Sequence, residues 1–177
     1  MNKIYIFLTI LITISCEDTK ARMPLQQNSG SFINTSIKIN KYINSKEKLK
    51  IEEIVKDPKN NFKASNYGFW YRNEKQNTDS SYTPKFGDQI FYKCAIKNLN
   101  GNYIYGEKKM LEKIYIMEQE ELSSGLREGL KLMSKGDKMT FIFPSQLAFG
   151  FYGDNDKIPP NTTLVYEVNV NKIIKNN

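Results

Sequence analysis

Three short stretches of this chain alternate apolar and polar residues with period two, and that pattern has few structural solutions. Residues 88–97 put Ile90, Tyr92, Cys94 and Ile96 on one face, residues 137–143 put Met139, Phe141 and Phe143 there, and residues 163–170 put Leu164, Tyr166, Val168 and Val170. Successive side chains point to opposite faces of a strand, so each stretch predicts a strand with one face in a core and the other in solvent. An earlier aromatic cluster, Tyr67, Phe69, Trp70 and Tyr71, has the composition that suits a half-buried sheet. Between the first two alternating stretches, Leu122, Leu126, Gly129, Leu130 and Met133 recur with the spacing of one helix face. A sheet and one short helix bury their apolar faces by packing on each other. The expectation is an α+β domain over residues 67–177, long enough for a single core of ordinary domain size.

Upstream of that domain the chain changes character. Lys3 is followed by an apolar run from Ile4 to Ile14, too short for the roughly 20 helical residues that cross a hydrocarbon core. It reads as a signal peptide over residues 1–15. Ser15 directly before Cys16 resembles the lipobox of bacterial lipoproteins, in which the cysteine is acylated; Thr13, where leucine is usual, departs from it, and an ordinary secretory signal is the alternative reading. Glu17 and Asp18 resemble an acidic cue that sends some lipoproteins to the cell surface. Residues 17–40 are polar and read as a flexible spacer. Asn44 or Ser45 is placed to cap a helix over residues 46–56, with Leu49, Ile51, Ile54 and Val55 as its apolar residues and Pro58 beyond its end. Residues 16–66 are therefore expected to be a lipid-anchored spacer carrying one short helix.

Composition removes most chemistries. The chain has no histidine, which excludes a Ser-His-Asp triad, a Cys-His pair and any histidine-bearing zinc site. Gly125 and Gly129 sit inside a helical pattern and read as packing glycines rather than a phosphate loop. Glu118, Glu120 and Glu121 read as a helix start rather than a catalytic pair. Cys16 and Cys94 are the only cysteines, so an acylated Cys16 leaves Cys94 a free thiol, expected to be buried on its strand. The net charge of +7 comes from scattered lysines and arginines, without the basic stripe of a nucleic-acid reader. No metal or cofactor is called for, and a monomer is expected. What remains is chemistry that needs neither acid, base nor metal.

The spaced elements of the last quarter, Lys135-Gly136-Asp137, Ala148-Phe149-Gly150 and Ile158-Pro159-Pro160 through Tyr166-Glu167-Val168, resemble the C-terminal half of FKBP-type peptidyl-prolyl isomerases. The resemblance implies a curved antiparallel sheet wrapped on one short helix, with an apolar pocket that takes a proline ring. It implies Phe149, Ile158, Ser123 and Tyr105 as the residues closest to catalysis, with the Ser123 backbone N–H as donor to a substrate carbonyl. It places Cys94, Ile104, Leu122, Leu126 and Tyr166 against the substrate. Five positions depart from the family pattern, among them Ser123 where isoleucine is usual and Cys94 where the first sheet tyrosine is usual. Phe149 lacks the phenol hydroxyl of the usual Ala-Tyr-Gly, while Ile104 and Tyr105 stand where Phe and Asp are usual, which implies a lost aromatic wall and a lost buried carboxylate.

The mature chain as a whole is further similar to lipid-anchored FKBP-type proteins linked to gliding motility in Bacteroidota. That similarity implies a protein of the bacterial envelope, tethered by its lipid to a membrane, most readily the outer membrane, and facing the periplasm or the cell surface. Its partners would be proline-containing polypeptides and not nucleic acid. Two function classes stay open: an isomerase acting on X-Pro bonds of exported proteins, and a binding module that grips apolar or proline-bearing segments without turning them over.

Overall fold

The computed structural model describes residues 29–78 and 81–176. The expected signal peptide, Cys16 and residues 17–28 lie outside the described residues. The chain divides into two units, Met1–Ile37 and Lys38–Asn177, and every strand lies in the second. No helix among the described residues is long and apolar enough to cross a membrane.

Helix α1 (Ser29–Val55) is far longer than the helix expected over residues 46–56, and the spacer reading of residues 29–40 is corrected accordingly. The cause is visible in the sequence: Gly30 is in the first turn, and no further glycine or proline interrupts the chain before Pro58. Ser45, expected as a cap, lies inside the helix and turns its hydroxyl back to the Lys41 carbonyl at 2.7 Å. The helix closes where Asn60 Nδ2 donates to the Ile54 carbonyl at 2.7 Å and Pro58 begins a 3₁₀ turn. Glu47 and Ile51 are its buried residues, while Leu49, expected on the apolar face, is 62% exposed.

Seven antiparallel strands follow: β1 (Lys63–Ala64), β2 (Trp70–Lys75), β3 (Gln89–Asn98), β4 (Tyr103–Tyr105), β5 (Leu111–Ile116), β6 (Lys138–Phe143) and β7 (Leu164–Ile174). Their order is β1-β2-β6-β7-β3-β4, and β5 shares with β4 the free side of β3. The three alternating stretches are the central strands β3, β6 and β7, and every inward residue predicted for them is buried. Register holds them together: Tyr166 pairs with Phe141 on one side and with Ile96 on the other. The β4–β5 edge breaks at Gly106, which has φ +81°, and a Cβ there would lie 3.1 Å from the Ala95 Cα. Only glycine fits so close to the neighbouring strand in that conformation.

Helix α2 (Ser124–Leu130) covers the concave face. A Cβ on Gly125 would fall 2.6 Å from Phe143 Cδ1, and one on Gly129 3.1 Å from Phe141 Cε1, so these two glycines let the helix backbone lie directly on the β6 rings. Phe141 and Phe143 stack at 5.4 Å, Phe69 meets both edge-on, and Tyr166 meets Phe143 edge-on at 5.4 Å. Such pairs add to area burial through the ring quadrupoles. Residues 117–120 form a turn and bend rather than the expected helix start: Glu118 has φ +61° and pairs with Lys131, and Glu120 accepts from the Ile116 N–H.

Candidate active site

A hollow of about 570 Å³ opens between the concave sheet and the loop joining β6 to β7, within the range of pockets that enclose small ligands. Its floor comes from β3, through Tyr92, Cys94 and Ile96, from β7 through Tyr166, and from the start of α2 through Leu122 and Leu126. Strand alternation puts these side chains there, because the residues that face the core at mid-strand face the hollow where α2 no longer covers them. The remaining wall is Phe149 and Asp154 on the β6–β7 loop, Tyr105 on β4, part of β5 with Lys113, and Glu120 and Glu121 of the segment before α2. A cleft of about 670 Å³ beside α1, bordered by Lys46, Lys50, Glu53 and the turns at 98–100 and 161–163, is larger but has no comparable apolar floor.

The floor is electrically neutral. Burial pushes the Cys94 thiol up to about 11, which Lys113 only partly offsets, so it stays protonated and is no nucleophile. Burial likewise raises the Tyr92 and Tyr166 phenols well above the ordinary tyrosine range. Neither hydroxyl has a protein partner among the described residues, yet no fully buried side-chain polar atom is left unpaired. Both hydroxyls therefore open onto the hollow they line, as neutral donors.

The wall is polar and cross-linked. Tyr105 Oη donates to Asp154 Oδ2 at 2.5 Å and approaches Asp156 Oδ2 at 2.9 Å; with one proton to give, it serves the nearer carboxylate. Asp154 Oδ1 accepts from the N–H groups of Ile158 at 2.7 Å and Asp156 at 3.0 Å. Desolvation opposes the Asp154 charge, but the bonds from Tyr105, Ile158 and Asp156 outweigh it and hold the carboxyl below its ordinary value. The same contact raises the Tyr105 phenol, helped by desolvation and Asp156.

Of the residues expected at the site, Phe149, Tyr105, Cys94, Leu122, Leu126 and Tyr166 line the hollow together. Ile104, Ile158 and Ser123 are not part of its lining. Ile158 is 3% exposed and belongs to the core beneath the loop, and Ile104 packs against the same core. Ser123 immediately precedes α2; its carbonyl accepts from Arg127, and its N–H has no acceptor among the described residues. The expected loss of a pocket carboxylate is corrected: Tyr105 occupies the position, but its hydroxyl holds Asp154, 49 residues away, in the wall. Asp154, Tyr92 and Ile96 were not anticipated. The inward phase of β3 already contained the latter two.

The family model for FKBP-type peptidyl-prolyl cis-trans isomerases matches residues 80–171, just over half of the chain. The chain is an FKBP-family protein. Among curated relatives, a probable FKBP-type isomerase of Haemophilus influenzae is 39% identical over 51 residues, covering 29% of this chain and 21% of that one. FkpA of Neisseria meningitidis, a probable isomerase of the same type, is 47% identical over 49 residues, 28% of this chain and 18% of that one. Human FKBP2 is 35% identical over 60 residues, 34% and 42% of the two chains. This FKBP thus spans less than half the length of these curated relatives. The crystal structure of a peptidyl-prolyl isomerase from Pseudomonas syringae superposes with a TM-score of 0.63 at 18% identity, over 76% of this chain and 96% of that one, and shares the fold.

Proposed function

We propose that this FKBP catalyses cis-trans isomerisation of X-Pro bonds in exported or envelope polypeptides. One observation carries the reading: a hollow of about 570 Å³ whose floor is apolar, unionised and faced by two tyrosine hydroxyls without protein partners among the described residues. Rotation about an X-Pro bond meets a barrier of about 18–20 kcal/mol because it breaks amide resonance. The planar amide is more charge-separated than the twisted one, so a dry floor destabilises the ground state more than the transition state. Leu126 and Tyr166 bound the proline ring, Phe149 closes the loop side, and Leu122 borders the entrance. The Tyr166 hydroxyl, on the hollow's floor, is the donor for the flanking carbonyl, and the Ser123 N–H just before α2 is the second donor that the resemblance implies. Asp154, fixed by Tyr105, sets the polarity of the wall and takes no proton.

Envelope placement rests on the leader and on Cys16 as the acylated residue, with the monomeric domain tethered to a membrane, the outer membrane foremost, and facing the periplasm or cell surface. The similarity to gliding-motility lipoproteins makes motility and envelope proteins the substrates. A second reading has its own support, since Phe149 lacks the hydroxyl usual at that position: the pocket grips proline-bearing segments without turning them over.

A protease-coupled isomerisation assay of residues 17–177 on an Ala-Leu-Pro-Phe peptide separates the two. Catalysis predicts a rate above buffer that Tyr166→Ala removes. A rate equal to buffer with peptide still bound establishes the binding module, and neither rate nor binding removes both. Fatty-acid label lost in Cys16→Ser tests the anchor; label that persists places it elsewhere.

A further inference from the structure

The loop of residues 144–163 carries Phe149 and Asp154 of the pocket wall, and both of its feet are held by one carboxylate from outside the family-matched segment. Glu47, on α1, accepts from the Ser145 N–H at 3.2 Å and from the Thr163 hydroxyl at 2.8 Å through Oε1, and from the Ser145 hydroxyl at 2.9 Å through Oε2. Ser145 follows β6 and Thr163 precedes β7, so the bonds pin the two points where the loop leaves the sheet. All three residues are buried, at 8%, 1% and 7% exposure. No salt bridge involves Glu47 among the described residues, so these donors stand in for a counter-charge.

The pinned residue is also the one from which the pocket side of the loop hangs. The Ser145 carbonyl accepts from the N–H groups of Ala148 at 3.1 Å and Gly150 at 2.8 Å, which bracket Phe149, and the Gly150 carbonyl accepts from Asn161 near the other foot at 2.9 Å. A continuous hydrogen-bonded path therefore runs from Glu47 through Ser145 to both neighbours of Phe149. A buried carboxylate with three donors and no cation is costly unless every bond is kept.

We infer that Glu47 is a positioning residue for the pocket: through it, residues 38–55 of α1 fix the loop that presents Phe149 and Asp154. The inference rests on the proposed use of the pocket for X-Pro peptides, but its first readout does not. In Glu47→Ala, hydrogen exchange at the Ala148 and Gly150 amides rises by about tenfold or more, while the amides of β6 and β7 keep their protection. Glu47→Gln, which keeps one acceptor oxygen, falls between. For the Ala-Leu-Pro-Phe peptide, KM rises severalfold with kcat changed less, because the loop must be ordered before it can bind.

Unchanged exchange at Ala148 and Gly150 overturns the brace, as does an equal rise throughout β6 and β7, which would make the contact one of general stability. Peptide kinetics that stay at wild-type values while the loop amides loosen overturn the link to the pocket. If wild type has no isomerase activity, the exchange measurement still decides the brace, and peptide affinity replaces KM. Thr163→Val, which deletes a single donor, gives the same readouts where Glu47→Ala does not fold.

Discussion

The floor of the pocket and its loop wall are made of different materials. Tyr166, Leu126 and the rings beneath them are fixed by burial from several sides, with Phe143 touching Phe69, Phe141 and Tyr166 at once. Phe149 and Asp154 belong to a loop that buries Ile158 but is otherwise tied by individual hydrogen bonds, from Tyr105 on one side and through Ser145 and Glu47 on the other. Non-directional packing tolerates small shifts and fails only when volume is removed, whereas a directional bond fails when a single atom is removed. The floor should therefore determine whether the domain folds, and the wall how well it binds.

The largest effect is expected on the floor. Phe143→Ala removes the ring on which the aromatic cluster converges and should cost about 3–5 kcal/mol of unfolding free energy by denaturant titration; a loss under about 1 kcal/mol would mean the cluster closes over the gap. Tyr166→Phe keeps the ring and deletes a hydroxyl that faces the hollow, so stability should hold while kcat/KM falls up to about tenfold. Its mirror is Phe149→Tyr, which restores a hydroxyl on the wall and should raise affinity or turnover by a similar factor; no change in either would show that Tyr166 already serves the site.

A subtler test concerns the wall alone. The Asp154 carboxyl is depressed, so its contribution is complete above the ordinary aspartate value of about 3.9 and is lost as pH falls through the lower folded value. The Tyr105 phenol is raised, so its contribution is complete below the ordinary value of about 10 and is lost above the folded one. A carboxyl NMR titration should find Asp154 below its ordinary value in wild type and closer to it in Tyr105→Phe; coincident curves would sever the pair. The smallest effect belongs to Leu49→Ala on α1, within about 0.5 kcal/mol, because the side chain is exposed.

The division between the two materials is also the division between what was legible in the sequence and what was not. β3, β6 and β7 could be read because a buried face imposes alternation on neighbouring residues, and the glycines of α2 because a helix pressed on a sheet needs them at i and i+4. Tyr105 was assigned to the site by resemblance, but its partner Asp154 lies in a loop with no periodicity to report the contact. Glu47 sits between Lys46 and Lys48, a sequence that describes a solvated helix surface, and its donors come from 98 and 116 residues away. The resemblance implies Ile158 close to catalysis, yet the Asp154 turn folds its side chain into the core. Propensity could place the end of α1 at Pro58 but not its length, since residues 31–45 contain no glycine or proline to stop a helix short of residue 46.

The protonation of the floor has one more consequence. Burial lets the Tyr92, Tyr166 and Cys94 protons come off only well into the alkaline range, so the floor of the hollow keeps the same character wherever the acidity of the surroundings drifts below that. A compartment without buffering would not alter its grip, and any sensitivity to acid would enter from the rim, where carboxylates such as Asp154 do the holding.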